Sequence, residues 1–227
     1  MAPSDCAPGA PLPQDPWIRA RQAMVADQIA ARGVTDPRVL EAMRAVPRHE
    51  FVPDAVRGDA YWDSPLSIGH GQTISQPYIV ALMTELARPR PGDRALEVGT
   101  GSGYQAAVLS RLVARVYSIE LLEPLAASAA ATLRRLRFDN VTVRQGDGYA
   151  GWPEEAPFDI ILVTAAPEEV PAALVAQIKP GGRLVVPVGP VHDVQDLRVL
   201  EKDQAGRVRT RSVIPVRFVP LVRKPGR

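Results

Sequence analysis

The sequence predicts an α/β fold: a doubly wound, mostly parallel seven-stranded sheet with an antiparallel C-terminal edge and an N-terminal helical extension. Short apolar runs alternate with helix-patterned segments between residues 95 and 188, which is typical of βαβ units and a parallel sheet. A glycine-rich loop follows the first of these runs, where a doubly wound sheet binds ligands. The turn sequence of residues 203–206 separates the last two apolar runs, and it predicts a hairpin at the sheet edge.

Length and composition indicate a folded globular protein. The 227 residues suffice for one large or two small domains, and 46% hydrophobic with 23% charged residues excludes wholesale disorder. Residues 1–16 contain five Pro, so we predict a disordered Pro-rich tail there. We expect a single domain over residues 17–227, with a helical and loop extension over 17–90 and the sheet over 91–227.

Charge and cysteine content argue against several classes of function. The net charge of +2 disfavours a strongly basic nucleic-acid binder. The single Cys6 forms neither an internal disulfide nor a cysteine zinc site, and the three His lie far apart, so we expect no metal. Neither an apolar run of about 18 residues nor a secretory leader pattern is present. We therefore expect a cytoplasmic protein that does not insert into membranes.

Capping signals place the first two helices. Residues 18–32 have a helical pattern that ends at Gly33, a residue type favoured at the position just after a helix C-terminus. Asp36 is a candidate N-cap for a second helix, since Pro37 suits the first helical position. Pro47 ends that helix.

A long segment without sustained periodicity follows, over residues 48–74. Structureless loops of this length are uncommon in compact domains and tend to be functional. Ser75–Pro77 then opens a third helix, whose apolar residues recur at helical spacing until Pro89 ends it.

In the sheet region, segments with a strand pattern alternate with segments with a helix pattern. Pro180–Gly182 is a stop signal between a helix and the strand that follows it. The predicted strands are 95–98, 116–119, 141–143, 158–163, 183–188, 197–200 and 208–219, and the predicted helices are 104–114, 124–136 and 171–178.

The loop Glu97–Gly103 is the strongest chemical signal. Its glycines allow a sharp turn and the close approach of a ligand, and the amides that open the next helix point into the site. The dinucleotide pattern G-x-G-x-x-G/A fits loosely through Gly101, Gly103 and Ala106. The pattern acidic-x-G-x-G-x-G fits in full and resembles the S-adenosylmethionine loop of class I methyltransferases. An acidic residue suits a cationic amino-acid group better than a pyrophosphate, although a plain turn and helix cap remains the alternative without a ligand.

Two further carboxylates follow the next strands. Glu120 ends the second predicted strand and could accept hydrogen bonds from two ribose hydroxyls, which fits NAD and S-adenosylmethionine equally. Asp147 and Gly148 follow the third strand, where Asp147 could accept from an adenine amino group. Asp-Gly is also an ordinary turn signal, and Glu120 could simply cap the next helix.

From its spacing alone, Ser75 is most economically a helix N-cap, and Gln72 and Thr73 are loop hydrogen-bonding residues. The segment Gly71–Pro77, however, resembles the signature of protein-L-isoaspartate O-methyltransferases.

Two other segments carry the same resemblance. Val46–Pro53 resembles a second family segment, and Val219–Leu221 resembles the family's closing strand. With the glycine loop in its expected place, the resemblance spans about residues 18–222.

The resemblance implies a Rossmann-like methyltransferase fold and methyl transfer from S-adenosylmethionine to the α-carboxyl of L-isoaspartyl residues in damaged proteins and peptides. It implies that Ser75 is the catalytic residue and also binds substrate, and that Gln72 and Thr73 bind substrate and line the cofactor site. The extension over 17–90 would then lie on the substrate side, and the sheet over 91–227 would bind the cofactor. The implied cofactor contacts are Glu97 and Ser102 at the methionine end, Glu120 at the ribose, Asp147 and Gly148 at the adenine, and Gly99, Thr100, Gly101 and Gly103 in the loop.

This chemistry requires few side chains. An α-carboxyl group has a pKa of about 3.5 and is already ionised at pH 7, so neither a general base nor a metal is expected. The product ester would cyclise to a succinimide and so begin repair. No obligate partner is implied, and we expect a monomer. The alternatives are another methyl acceptor, an NAD-dependent oxidoreductase, or a cofactor-binding module without activity.

The sequence gives weaker support for functional roles of several other residues. Residues 60–75 are a candidate lid, although Tyr61 and Trp62 within it are better explained by packing. His49 is expected to be a packed, hydrogen-bonded histidine, and His70 has only a weak case for substrate contact. The C-terminal residues 201–227 carry a net charge of +6, which favours a solvated surface over attraction of an anionic substrate.

Overall fold

The computed structural model describes residues 16–191 and 193–223. The predicted Pro-rich tail over 1–16, with Cys6, therefore lies outside the described residues apart from Pro16. No helix in these ranges is long and apolar enough to cross a membrane.

The first two helical segments agree with the capping signals. The α-helix α1 (Ile18–Ala23) continues as a π-helical stretch, Met24–Ile29, and a 3₁₀ turn, Ala30–Arg32. Gly33 ends this segment in the left-handed conformation, with φ of 95°. The second helix, α2 (Pro37–Ala45), is capped by Asp36, whose side chain accepts a hydrogen bond of 2.9 Å from the Arg38 amide.

The expectation that residues 48–74 lack regular structure was wrong. This segment contains 3₁₀ turns at Arg48–Phe51 and Asp54–Asp59, followed by strands β1 (Leu66–Gly69) and β2 (Gln72–Ile74). The two strands pair antiparallel around His70, which has a positive φ of 54° between two glycines that also have positive φ. Strands of four and three residues are too short for alternation to stand out in the sequence.

The third helix, α3 (Pro77–Ala87), begins where the sequence predicted, but Ser75 does not cap it. Gln76 occupies the N-cap position, and no side chain bonds to the first turn. Pro77 at the first helical position shifts the cap one residue beyond Ser75. The capping interpretation of Ser75 is therefore wrong, and its side chain is available for another role.

The main sheet has seven strands, as predicted, in the order β5-β4-β3-β6-β7-β8-β9. The first five of these are parallel, and β7 with β8 and β8 with β9 pair antiparallel. The elements are β3 (Arg94–Val98), α4 (Tyr104–Ser110), β4 (Arg115–Glu120), α5 (Glu123–Arg135), β5 (Val141–Gln145), β6 (Phe158–Val163), α6 (Ala172–Ala176), β7 (Ile178–Val188), β8 (Gln195–Lys202) and β9 (Val208–Val216).

Some boundaries differ from the sequence-based expectation. Pro180–Gly182 lies inside β7 instead of ending a helix, because the strand begins at Ile178 and its register against β6 shifts before Arg183. The bulge accommodates residues that an unbroken ladder would exclude. α4 and α6 are shorter than expected, and β9 ends three residues before Val219.

The sheet is packed on both faces, and one core joins it to the N-terminal extension. Successive strand residues point to opposite faces, so Ala95 and Leu96 belong to different buried clusters. The cluster that contains Ala95 also includes Met43 of α2, Val80 of α3 and Leu109 of α4. The extension is thus part of the packing that supports the central strands.

The strand order reverses beside β3. The chain runs outward from β3 to β4 and β5, and then returns to form β6 on the opposite side of β3. Because β3 and β6 are parallel, the loops that leave their carboxyl ends diverge at this point and open a crevice. The glycine loop after β3 lies at that crevice.

Candidate active site

A cavity of about 240 Å³ lies at the carboxyl ends of the central strands. It brings together residues from the β1–β2 hairpin, the loop after β3, and the end of β4. The predicted site residues that line this cavity are Gln72, Thr73, Ser75, Gly99, Thr100, Gly101, Ser102, Glu120 and Gly148.

Three predicted site residues do not line the cavity. Gly103 is the N-cap of α4, with φ of 88°, and an added Cβ there would lie 3.3 Å from Leu133 Cδ1. The Asp147 side chain accepts a 2.9 Å hydrogen bond from the Tyr149 amide and so caps a 3₁₀ turn. The Glu97 side chain is fully buried beneath the loop.

The loop after β3 needs glycine where it meets β6. At Gly99, with φ of 97°, an added Cβ would lie 2.5 Å from the Thr164 hydroxyl oxygen. That hydroxyl donates a hydrogen bond of 2.5 Å to the Gly99 carbonyl. Thr164 therefore occupies the space that a side chain at residue 99 would take, and it fixes the loop against the end of β6.

The Glu120 carboxylate fixes the same loop from the other side. One oxygen accepts a 2.8 Å hydrogen bond from the Gly101 amide, and the other accepts a 3.0 Å hydrogen bond from the Leu122 amide. Each carboxylate oxygen has two lone pairs, so both retain an accepting position while they hold the backbone. Since Glu120 also lines the cavity, it can accept hydrogen bonds from a bound diol.

Ser75 lies between this cavity and a second one. The second cavity has a volume of about 430 Å³, and it shares Thr73, Ser75, Thr164 and Val219 with the first. Among the described residues, no hydrogen-bond partner is found for the Ser75 hydroxyl. Ser75 is therefore accessible from both sides with a free donor.

A family model described as Protein-L-isoaspartate(D-aspartate) O-methyltransferase matches residues 19–226. The chain belongs to the protein-L-isoaspartate O-methyltransferase family. Among named members, a protein-L-isoaspartate O-methyltransferase of Opitutus terrae is 58% identical over 90% of this chain and 87% of its own length. One from Methylorubrum extorquens is 54% identical over 99% of this chain and 97% of its own length.

Solved structures agree with this assignment. A protein-L-isoaspartate O-methyltransferase structure superposes with a TM-score of 0.80 and 32% identity, over 88% of this chain, which spans 65% of that protein's length. A putative family member from Plasmodium falciparum, determined in complex with S-adenosyl-L-homocysteine, superposes with a TM-score of 0.76 and 26% identity over 90% of this chain and 99% of that one. The predicted class I methyltransferase fold is confirmed.

The cavity fits the cofactor of this family, S-adenosylmethionine. Glu120 lines it with a carboxylate that could accept hydrogen bonds from ribose hydroxyls, and the turn at Gly101 presents main chain without a side chain to the same space. Apolar residues from the end of β4 and from the segment after β9 form part of its wall, namely Ile119, Leu121, Leu122, Val219, Leu221 and Val222. Such a surface suits the adenine ring of a nucleoside.

Glu97 is linked to the glycine loop through the hydroxyl groups of Ser118 and Thr100. Ser118 donates a short hydrogen bond to one Glu97 oxygen, and the Ser118 hydroxyl is 2.5 Å from that of Thr100, which lines the cavity. The other Glu97 oxygen has no partner among the described residues. Burial raises the pKa of Glu97 to about 8 against the lowering effect of the Ser118 bond, and the Glu120 charge adds to the rise. Direct contact with a cofactor stays a prediction, since the carboxyl reaches the cavity only through Ser118 and Thr100.

Several cavity residues escaped the sequence analysis. Tyr104 and Gln105, on the first turn of α4, line the cavity, as does Thr164 at the end of β6. The extended segment after β9 also reaches the site: Ala166 donates to the Val219 carbonyl and Leu221 donates to the Ala166 carbonyl, both at 2.8 Å. The only signal in the sequence was the position of Thr164 directly after a buried strand.

The structure shows where the histidines and aromatic residues near the signature segment lie. His49 is buried, with Nδ1 at 2.7 Å from the Tyr61 hydroxyl and its ring stacked on Trp17, so the packing interpretation is confirmed. Tyr61 is buried in the same cluster, whereas Trp62 is 63% exposed, and neither lines the cavity. His70 does line it, from the tip of the hairpin. Whether residues 60–75 close over the site stays a hypothesis.

We expect Glu97→Gln to flatten the pH dependence of stability. The folded chain keeps the Glu97 proton up to about pH 8, whereas the unfolded chain releases it near pH 4.5, so the free energy of unfolding falls as pH rises between these values. In the Glu97→Gln variant, the decrease in the free energy of unfolding between pH 5 and pH 8 should be smaller by about 3–4 kcal/mol. Urea unfolding of the cofactor-free protein at pH 5, 6.5 and 8 measures it.

Glu123→Gln is the matched control, because Glu123 is exposed in the first turn of α5. Parallel pH profiles for the Glu97→Gln variant and the wild type would show that Glu97 ionises normally in the folded protein.

Proposed function

We propose that this chain transfers a methyl group from S-adenosylmethionine to the free α-carboxyl of L-isoaspartyl residues in damaged proteins and peptides, with Ser75 at the point of transfer. The observation that carries this proposal is the position of Ser75 on the boundary of two cavities, in a chain of this family. The first cavity has the features of a nucleoside site. The second also borders Ser75, and its volume of about 430 Å³ is large enough for part of a peptide.

The reaction requires little acid–base catalysis from the chain. When bound, S-adenosylmethionine supplies a methyl group already activated by a positively charged sulfur. The α-carboxylate of the substrate is ionised at neutral pH, so the chain need not remove a proton from it. What the chain supplies is position, and holding two reactants in productive geometry can lower a barrier by about 7–11 kcal/mol at best.

Ser75 is suited to orient the substrate carboxylate. Its hydroxyl is a neutral donor without a partner among the described residues, so it can bond to one carboxylate oxygen and leave the other free. A cationic donor would stabilise the carboxylate before transfer and so weaken it as a nucleophile. Thr73 lines both cavities beside Ser75, and Gln72 lines the first, which supports a role for both in fixing the substrate main chain.

The product is a methyl ester, which begins repair without further help from the protein. Methoxide is a better leaving group than the oxygen of a carboxylate. The main-chain amide nitrogen of the following residue attacks the ester carbonyl, closes a succinimide ring and releases methanol. Water then opens the ring at either carbonyl, and one of the two products contains a normal aspartyl residue.

The proposed reaction also bears on the oligomeric state and the cellular location of the enzyme. Its substrates are exposed segments of many damaged proteins, so the site must be open to them, and both cavities are formed by one chain. We propose that it works as a monomer in the cytoplasm and has no obligate partner.

The direct test is the transfer of radiolabelled methyl from S-adenosylmethionine to a short peptide that contains L-isoaspartate. The same peptide with normal L-aspartate is the matched control. We expect base-labile label on the isoaspartyl peptide alone, because the α-carboxylate is free only there. Label on neither peptide, with cofactor binding intact, would indicate a different methyl acceptor.

We expect Ser75→Ala to lower kcat/KM for the isoaspartyl peptide by about ten- to a hundredfold, the range for one hydrogen bond to a charged group. Cofactor affinity, measured by calorimetry, should change little. Ser67→Ala is the control, since Ser67 lies on β1 of the same hairpin and lines neither cavity. An unchanged rate in Ser75→Ala would remove Ser75 from the mechanism.

We expect Glu120→Gln to weaken S-adenosylmethionine binding by about tenfold or more, because an amide accepts through one atom only and cannot hold both backbone amides and a diol. Calorimetric titration measures the affinity. Glu123→Gln removes the same charge three residues later from an exposed position and should bind normally. Equal affinity in both variants would contradict the ribose assignment.

A further inference from the structure

The second cavity differs in charge from the first. The first cavity is lined by the Glu120 carboxylate, whereas neither Asp nor Glu is among the lining residues of the second. Two arginines, Arg32 and Arg217, line the second cavity. Its other walls are apolar or neutral, so these two groups determine its electrostatic character.

The two arginines differ in how their charges are compensated. Arg32 donates a 2.8 Å hydrogen bond to the Asp63 carboxylate, and its guanidinium lies 3.6 Å from the centroid of the Tyr78 ring. The charge of Arg32 is therefore largely compensated by these contacts, and its side chain packs as part of the cavity wall. Arg217 is exposed, and no ion pair is found for it among the described residues. The uncompensated positive charge of this cavity is that of Arg217.

The segment that carries Arg217 is fixed beside the reaction site. The amide of Phe218 donates a 2.8 Å hydrogen bond to the Gln195 side chain, which is only 2% exposed. Gln195 in turn donates to the carbonyls of Pro190 and Asp193, at 3.0 and 2.8 Å. Two residues after Arg217, Val219 lines both cavities. The main chain at Arg217 is thus held at the wall of the second cavity.

We propose that the second cavity receives the residues that flank the isoaspartyl residue, and that Arg217 selects substrates with an acidic side chain in that flank. This inference rests on the proposed function. The cavity continues from Ser75, so a peptide whose isoaspartyl carboxylate meets Ser75 must pass its neighbouring residues along one of its walls. A carboxylate there meets one uncompensated cation and no opposing acid among the lining residues.

The test uses isoaspartyl peptides that differ in one flanking residue. Aspartate, alanine or lysine is placed two residues before the isoaspartyl residue in one series and two residues after it in another, so that both chain directions are sampled. We expect the aspartate peptide of one series to have the highest kcat/KM and the lysine peptide the lowest, through KM and with kcat nearly constant. The difference should be about three- to fivefold, as for one partly exposed ion pair, and should shrink in high salt.

Two variants assign the effect to Arg217. Arg217→Gln should remove the preference for aspartate over lysine, measured as the ratio of the two kcat/KM values within the variant. Arg217→Glu should reverse the preference. Arg209→Gln is the control, because it removes the same charge from an exposed position on β9 that lines neither cavity.

The outcomes separate this inference from the proposed function. Methylation of all isoaspartyl peptides at equal efficiency by the wild type would overturn the inference and leave the function intact. An equal loss of preference in Arg209→Gln would also overturn it, since the effect would then come from overall charge. Failure to methylate any isoaspartyl peptide would instead overturn the proposed function.

Discussion

The Glu120 carboxylate joins the loop after β3 to the loop after β4, and the shape of the site depends on this link. Its two oxygens accept from the amides of Gly101 and Leu122, on different loops. The carboxyl ends of β3 and β4 are thereby linked, and the loops that leave both strands line the cavity. A ligand that bonds to Glu120 therefore binds a group whose position is already set by main-chain contacts.

A second constraint acts from β6, where Thr164 bonds to the Gly99 carbonyl. The glycine loop is thus held by hydrogen bonds from both neighbouring strands. Such preorganisation matters for a reaction in which the protein contributes mainly position. Beneath the same loop, the buried Glu97 carboxyl accepts a hydrogen bond from Ser118, and burial raises its pKa.

The fold was largely predictable, because its strands and helices carry clear periodic patterns and its turns contain Gly, Pro and Asp. The glycine loop and Glu120 were predictable for the same reason, because the loop leaves one buried strand and Glu120 ends the next. The hairpin around His70 was not, since its strands are too short to show alternation. The role of Ser75 as a cap was also misjudged, because Gln76 and Pro77 compete for the start of α3.

The second cavity and the part played by Arg217 lay beyond the sequence altogether. Arg32 and Arg217 are far apart along the chain and line one space only through the packing of the extension against the segment after β9. No local pattern encodes such a meeting. The uneven compensation of the two charges depends on Asp63 and Tyr78, which are close to Arg32 in the fold but not in sequence.

The segment after β9 ties the two cavities to one short stretch of main chain. Residues 219–222 form part of the wall of the first cavity, and main-chain hydrogen bonds to Ala166 hold them there. Arg217 and Val219 of the same stretch line the second cavity. A single cut in the chain between β9 and Val219 would therefore leave all seven strands in place and open both cavities at once.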